Sequence, residues 1–303
     1  FLCIFLRLQK AASKLYRFSV LRVLEWTEPN PQTSEKIMKV KLISAVIGAA
    51  VGFSCLTFSY AVQAEEAAYK LILLRHGESQ WNLEKRFTGW SDIDLTDKGR
   101  AGALKAGELL KKEGVAIDEV HTSKLKRAIE TAQLAQKGMS AEWLPMSKYW
   151  RLNERCYGDL EGKKRADVAK EFGDDQVKVW RRSFDVPPPA LSVEDPRSPV
   201  KDPRYSDLDP RVIPAGESLK DVIARVGPYW ADQLYPAIKS GKTVLVVGHS
   251  TNLRALSSWI EPNLDEKALQ KLEIGNSKPI VYELDKNMKV LSRKVLKDSE
   301  EKK

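Results

Sequence analysis

Two histidines end the two most apolar short runs of the chain. His76 follows Leu71-Ile72-Leu73-Leu74-Arg75, and His249 follows Val244-Leu245-Val246-Val247-Gly248. A neutral imidazole can attack phosphorus, hold a group between turnovers or relay a proton. Arg75 stands beside the first histidine, and a guanidinium is suited to clamping phosphate bidentately. Gly77 follows without a Cβ, so a ligand could approach the backbone there. A single strand-end histidine reads as a cap or a packing residue, whereas the pair reads as a nucleophile and its partner. His121 also lies near a strand end but has neither Arg nor Gly beside it, and it reads as structural. With only 3 histidines and 3 cysteines, scattered along the chain, a metal cluster or a disulfide framework has too few ligands.

These residues need strands to carry them, and the pattern supplies strands alternating with helices. Ala68 to Leu74 and Thr243 to Gly248 are short apolar runs of the kind buried on both faces of a sheet. Thr96 is an N-cap for a helix through about Glu113, with Gly114 as its stop. Ile117 to Thr122 reads as a strand and Leu125 to Gln136 as a helix. Ser218 to about Ser240 reads as a long helix bent or interrupted at Pro228 and Pro236, and about Asn252 to Ile260 as another. Ile280 to Leu284 and Val290 to Val295 read as closing edge strands. Between Pro187 and Pro214, Pro, Asp and Arg replace any apolar period, which suggests an ordered insertion or a lid. The expected fold class is therefore α/β, a layered sheet flanked by helices. In such sheets ligands sit at the carboxyl ends of the strands, where both histidines fall.

The 303 residues carry 50 Lys and Arg against 41 Asp and Glu, a net charge of +9. Residues 1–64 hold +5 of that, leaving +4 on the remaining 239 residues, too little for a general polyanion surface. Nucleic acid is therefore not expected as a partner, and anion chemistry must come from a local cluster of arginines. The first methionine is Met38. Lys39 and Lys41 precede an uncharged run from Leu42 to Val62, with Val62-Gln63-Ala64 ahead of Glu65-Glu66, the order of an export signal. Residues 38–64 are thus expected to be a cleaved signal peptide or, if uncleaved, a membrane anchor. Residues 1–37 read as an upstream or targeting segment outside the fold, and 65–303 as the catalytic domain. The protein is exported if that signal is used, periplasmic or membrane-anchored, and cytoplasmic otherwise.

At Leu74-Arg75-His76-Gly77-Glu78-Ser79 the chain resembles the histidine phosphatase superfamily, and over a longer span the cofactor-dependent phosphoglycerate mutases. Residues 75–94 follow that family's first signature almost throughout. Thr122-Ser123-Lys124-Leu125-Lys126-Arg127-Ala128, Leu152-Asn153-Glu154-Arg155-Cys156-Tyr157-Gly158 and Trp180-Arg181-Arg182 continue it in order. The resemblance covers roughly residues 69–296. It implies a three-layer sandwich with a mostly parallel sheet, and interconversion of 3- and 2-phosphoglycerate through a phosphohistidine. It implies 2,3-bisphosphoglycerate as primer, no metal and a homodimer or tetramer. His76 would be the nucleophile. Arg75, Arg127, His249 and Asn82 would surround the phosphoryl group, and Glu154 would be the general acid and base. Arg181, Arg182, Arg155 and Tyr157 would hold the substrate carboxylate and distal phosphate, while Ser79, Thr88 and Gly89 line the same site. Arg165 stands where the family tends to carry lysine, and Ser250-Thr251 where it has Gly-Asn. The short charged tail after Val295 would admit water, and water competing for phosphohistidine gives the alternative function, an exported phosphomonoesterase using the same pocket.

Overall fold

A computed structural model describes residues 66–297; the expectations for residues 1–37 and 38–64 lie outside the described residues. In chain order the main elements are β1 (Tyr69–Arg75), α1 (Gln80–Leu83), α2 (Asp97–Lys112), β2 (Glu119–Thr122), α3 (Lys126–Met139) and β3 (Met146–Lys148). They continue with α4 (Arg165–Phe172), α5 (Asp174–Arg182), α6 (Leu219–Tyr229), α7 (Tyr235–Lys239), β4 (Val244–Gly248), α8 (Ser250–Ile260), α9 (Glu266–Lys271), β5 (Pro279–Leu284) and β6 (Val290–Val295). The six strands form one sheet in the order β3-β2-β4-β1-β5-β6. The pairings among β3, β2, β4 and β1 are parallel, and β5 runs antiparallel to both of its neighbours. The fold is thus α/β with a mixed sheet flanked by helices.

Alternation in the central strands divides the core in two. Leu71, Leu73, Val244 and Val246 face α6 and α8 through Val222, Val226, Leu253 and Leu256. Ile72, Leu74, Leu245 and Val247 face α2 and α3 through Ala106, Leu110, Ala132 and Ala135. Small residues let α2 and α3 approach closely, since a Cβ on Gly107 would meet the Ala135 carbonyl oxygen. Thr96 does cap α2, its hydroxyl accepting from Gly99 N at 3.0 Å. Among the described residues no helix is long and apolar enough to cross a membrane.

One expectation about the strands needs correction. β5 is interior, paired on both sides, and β6 alone closes that end of the sheet; two antiparallel strands in a hairpin look alike in sequence, whichever is outermost. The other edge, β3, has only three residues, too few to show a period. α8 runs Ser250–Ile260, starting close to the expected position near Asn252. As expected, the helix from Ser218 to Ser240 is interrupted, by a π segment at Trp230–Leu234 between α6 with Pro228 and α7 with Pro236. Each proline lacks the N–H that an α-helix needs, and the wider turn absorbs the mismatch.

The Pro-rich stretch is ordered, as expected, by three short 3₁₀ turns that each begin with proline, at Pro199, Pro203 and Pro210. Asp202 and Asp209 cap two of them, and Arg204 bonds to both Asp202 and Asp92. Tyr205 is buried, and its hydroxyl accepts from Asn153 Nδ2 at 2.7 Å. The stretch braces the loop that carries Glu154 and contributes no wall to the cavity described next, so it is a buttress and not a lid.

Candidate active site

Strand register brings the two histidines together. β1 and β4 are parallel neighbours with Arg75 opposite Gly248, so the next residue on each strand emerges at the same sheet edge. His76 N donates to the Gly248 carbonyl at 2.9 Å, and the two imidazole centroids lie 5.0 Å apart. His76 Nδ1 is 2.6 Å from the carbonyl oxygen of Gly77. That carbonyl can only accept, so Nδ1 carries the proton and Nε2 keeps a free lone pair. On His249, Nε2 meets Ser123 Oγ at 2.9 Å, and Nδ1 is buried with no partner. The Ser123 hydroxyl oxygen already accepts from Leu125 N.

Between the strand ends and the helices lies a cavity of about 360 Å³. Arg75, His76, Asn82, Thr88, Gly89 and Arg127 form one part of its wall, with Glu154, Tyr157, Arg165, Arg181, Arg182, Ser250 and Thr251 around the rest. Six arginines line it against two glutamates, Glu154 and Glu273. The Nε atoms of Arg75, Arg127 and Arg165 are buried without partners. Native structures leave few buried donors unsatisfied, so this group of them marks a place built for an anion. Arg127 is fixed by Nη1 to Ser91 O and Nη2 to Gly89 O, both at 2.8 Å.

The charge state follows from burial. Both His76 and His249 are held well below the usual histidine range, first by loss of water and then by Arg127. Both are therefore neutral at pH 7. Burial also pushes the Arg127 guanidinium down to about 10. Glu154 is buried, and its Oε1 accepts from Arg155 N at 2.8 Å and from Thr251 N at 3.0 Å. Ser250 and Thr251 open α8, so the first turn of that helix forms part of the wall.

Three predicted site residues stand elsewhere. Ser79 caps α1 and does not reach the wall; its side chain accepts from Asn82 N, while Asn82 itself lines the cavity. Arg155 lies behind the wall, donating to Tyr157 Oη at 3.1 Å and to Arg181 O at 2.7 Å, so it braces two lining residues. His249 is seated under the wall, where it touches His76. Gly77 also differs from expectation. What fills the space of its missing Cβ is the backbone of Gly99 in α2, not a ligand. Sequence reasoning missed Arg254, Glu273, Ile274 and Gly275, which complete the lining. Arg254 is held by Nε to Leu272 O at 2.8 Å, and burial beside Arg182 pushes it down to about 10. His121, as expected, is structural: it bonds Tyr229 Oη and Glu119 and lines no part of this cavity. Among the described residues no group of three His, Cys, Asp or Glu could hold a metal ion.

The same fold occurs in several solved structures. A mycobacterial glucosyl-3-phosphoglycerate phosphatase matches at a TM-score of 0.57 with 23% identity, covering 75% of this chain and 97% of its own. The alpha-ribazole phosphatase of Shigella flexneri matches at 0.56 with 23% identity, covering 76% and 96%. Bacillus stearothermophilus YhfR matches at 0.54 with 26% identity, covering 73% and 93%. At this identity the first two speak for the fold alone. A sequence model of the histidine phosphatase superfamily (branch 1) is matched by residues 71–201 and 196–296, a span that holds both strand-end histidines and every residue of the cavity wall. By that match the chain belongs to the histidine phosphatase superfamily, branch 1.

Proposed function

We propose that the protein is a phosphoglycerate mutase, interconverting 3- and 2-phosphoglycerate through phospho-His76 with 2,3-bisphosphoglycerate as primer. The observation that carries this reading is the surplus of cationic groups. Arg75 and Arg127 suffice for one phosphoryl group, yet Arg165, Arg181, Arg182 and Arg254 line the same cavity. A second cationic group suits a small substrate with a second anionic group, and a primer that carries two phosphates. The unpartnered donors on Arg75, Arg127 and Arg165 fit such a primer, whose chemistry is to supply the phosphoryl group that loads His76.

The chain's own residues then divide the work. His76 Nε2 attacks phosphorus in line as the P–O bond to the leaving oxygen breaks, while Gly77 O holds the Nδ1 proton. Arg75, Arg127 and Asn82 stabilise the three equatorial oxygens from the wall, while His249 packs against the His76 ring behind it. Glu154 gives its proton to the departing oxygen and takes one back from the hydroxyl that next receives the group.

A second reading, hydrolysis by an exported phosphomonoesterase, draws on the phosphatase names of the similar structures and on Ser250, whose side chain stands where the mutases have glycine. One experiment separates the two. Protein starting at Glu65, given 3-phosphoglycerate and a catalytic amount of 2,3-bisphosphoglycerate, should form 2-phosphoglycerate with little free phosphate. Free phosphate as the main product would overturn the mutase reading. The H76A variant should do neither reaction and take up no label from a phosphate donor.

A further inference from the structure

We infer that the buried Glu217–Arg225 pair is a positioning device for the Glu154-Arg155 peptide; this rests on the proton-transfer role proposed above for Glu154. Neither side chain reaches the cavity, and their side chains are only 4% and 6% exposed. Burying two charges is costly, and the pair must be compensated by hydrogen bonds. Arg225 Nε and Nη2 close a fork on Glu217 at 2.6 and 3.0 Å. What remains of the fork is spent on backbone: Nη1 donates to Arg151 O at 2.7 Å, and Nη2 to Glu154 O at 3.2 Å.

The need for this is local. Residues 153–157 belong to no helix or strand, so side chains must satisfy their backbone groups. Glu217 Oε2 accepts from Cys156 N at 2.8 Å, and Glu217 N donates to Cys156 O at 2.9 Å. Trp90 Nε1 donates to the same Glu154 carbonyl at 2.6 Å, with Arg225 over its ring. The carbonyl before Arg155 and the amide after it are therefore both anchored to one ion pair. The Arg155 amide between them is the group that bonds Glu154 Oε1. If that peptide rotates, the carboxylate swings away from the leaving oxygen while the phosphate pocket stays intact.

The test exploits leaving-group chemistry. p-Nitrophenyl phosphate expels an anion that needs no proton, whereas 2,3-bisphosphoglycerate expels an alkoxide that does. Single-turnover labelling of His76 is measured with each donor in wild type, E154Q, E217Q and R225K. E217Q is nearly isosteric, and R225K keeps the charge but loses the fork. Both are expected to slow labelling by 2,3-bisphosphoglycerate roughly 10- to 100-fold while sparing labelling by p-nitrophenyl phosphate, as E154Q does. The ratio of the two rates cancels any loss of folded protein. Equal slowing with both donors, or none, while E154Q discriminates would overturn the inference and make the pair purely structural. An E154Q variant that fails to discriminate would instead overturn the role of Glu154, and this inference with it.

Discussion

Alanine at position 77 tests how closely packing and catalysis are joined. A Cβ there would lie 2.2 Å from the carbonyl oxygen of Gly99, where real contacts essentially never fall below 3.0 Å, so the gap must open by 0.8 Å. α2 has little room to retreat. Gly99 is itself pressed against Glu78 O, and Gly107 further along the helix meets the backbone of Ala135. The displacement therefore falls on the loop that carries His76. That loop is tied by Gly77 N to Thr131 Oγ1 at 3.0 Å, and by Gly77 O to His76 Nδ1 at 2.6 Å. Moving Gly77 O weakens the bond that fixes the tautomer and turns Nε2 away from the phosphorus. Misplacement by about 1 Å costs about 100-fold in rate, and the overpacking itself about 1–3 kcal/mol of stability. The assay is rapid-quench labelling of His76 from a labelled phosphate donor, well below the melting temperature of G77A. G99A, whose Cβ would lie 2.1 Å from Glu78 O, should behave alike. Labelling of G77A at the wild-type rate, with stability reduced, would refute the claim that this contact aims the nucleophile.

Two further outcomes are expected. An unfolded histidine binds a proton as pH falls through about 6.5, whereas folded His76 and His249 resist protonation until lower pH. In that window the unfolded state holds more protons, so stability falls with falling pH, by up to about 1.4 kcal/mol per pH unit for each histidine. Urea midpoints between pH 5 and 7 should show this slope, and H249Q should lose part of it; an unchanged slope in H249Q would contradict the buried neutral ring. The double variant S250G/T251N should raise the ratio of 2-phosphoglycerate formed to phosphate released, because the backbone bond from residue 251 to Glu154 survives the change. An unchanged ratio would show that these side chains do not tune the site.

Much of the fold was legible because its central strands are uniformly apolar. A strand such as Val244–Gly248, wholly buried, has no polar face to confuse its period. The two histidines were legible for a related reason: a polar residue that ends such a run must lie at the sheet's edge. The edge strand β3 was not, since it has only three residues, whereas β6 was read with its observed bounds. α4 and α5 escaped notice because they bury few residues, Val168 in one and Val177 and Trp180 in the other. The lid reading failed because proline density signals rigidity without saying where the rigid segment is placed.

The missed site residues divide by whether any local signal existed. Arg254 lies one turn after Ser250 and three residues after Thr251, so helical spacing alone puts it on their face. Once His249 was placed at a helix start, that arginine could have been read. Ile274 and Gly275 offer no such route. They precede β5 in irregular chain and reach the wall because Asn276 donates to His76 O at 2.7 Å and Ser277 N to Arg75 O at 3.0 Å. Those bonds span some two hundred residues of sequence, and only the pairing of β1 with β5 brings their ends together. Glu217 and Arg225 lie between these cases. Their separation by two turns is visible once the helix is known, but their common target, the backbone around Glu154, is not. A residue that acts through another chain segment's carbonyls carries no pattern of its own, so positioning groups stay hidden from sequence even where the residues they position are plain.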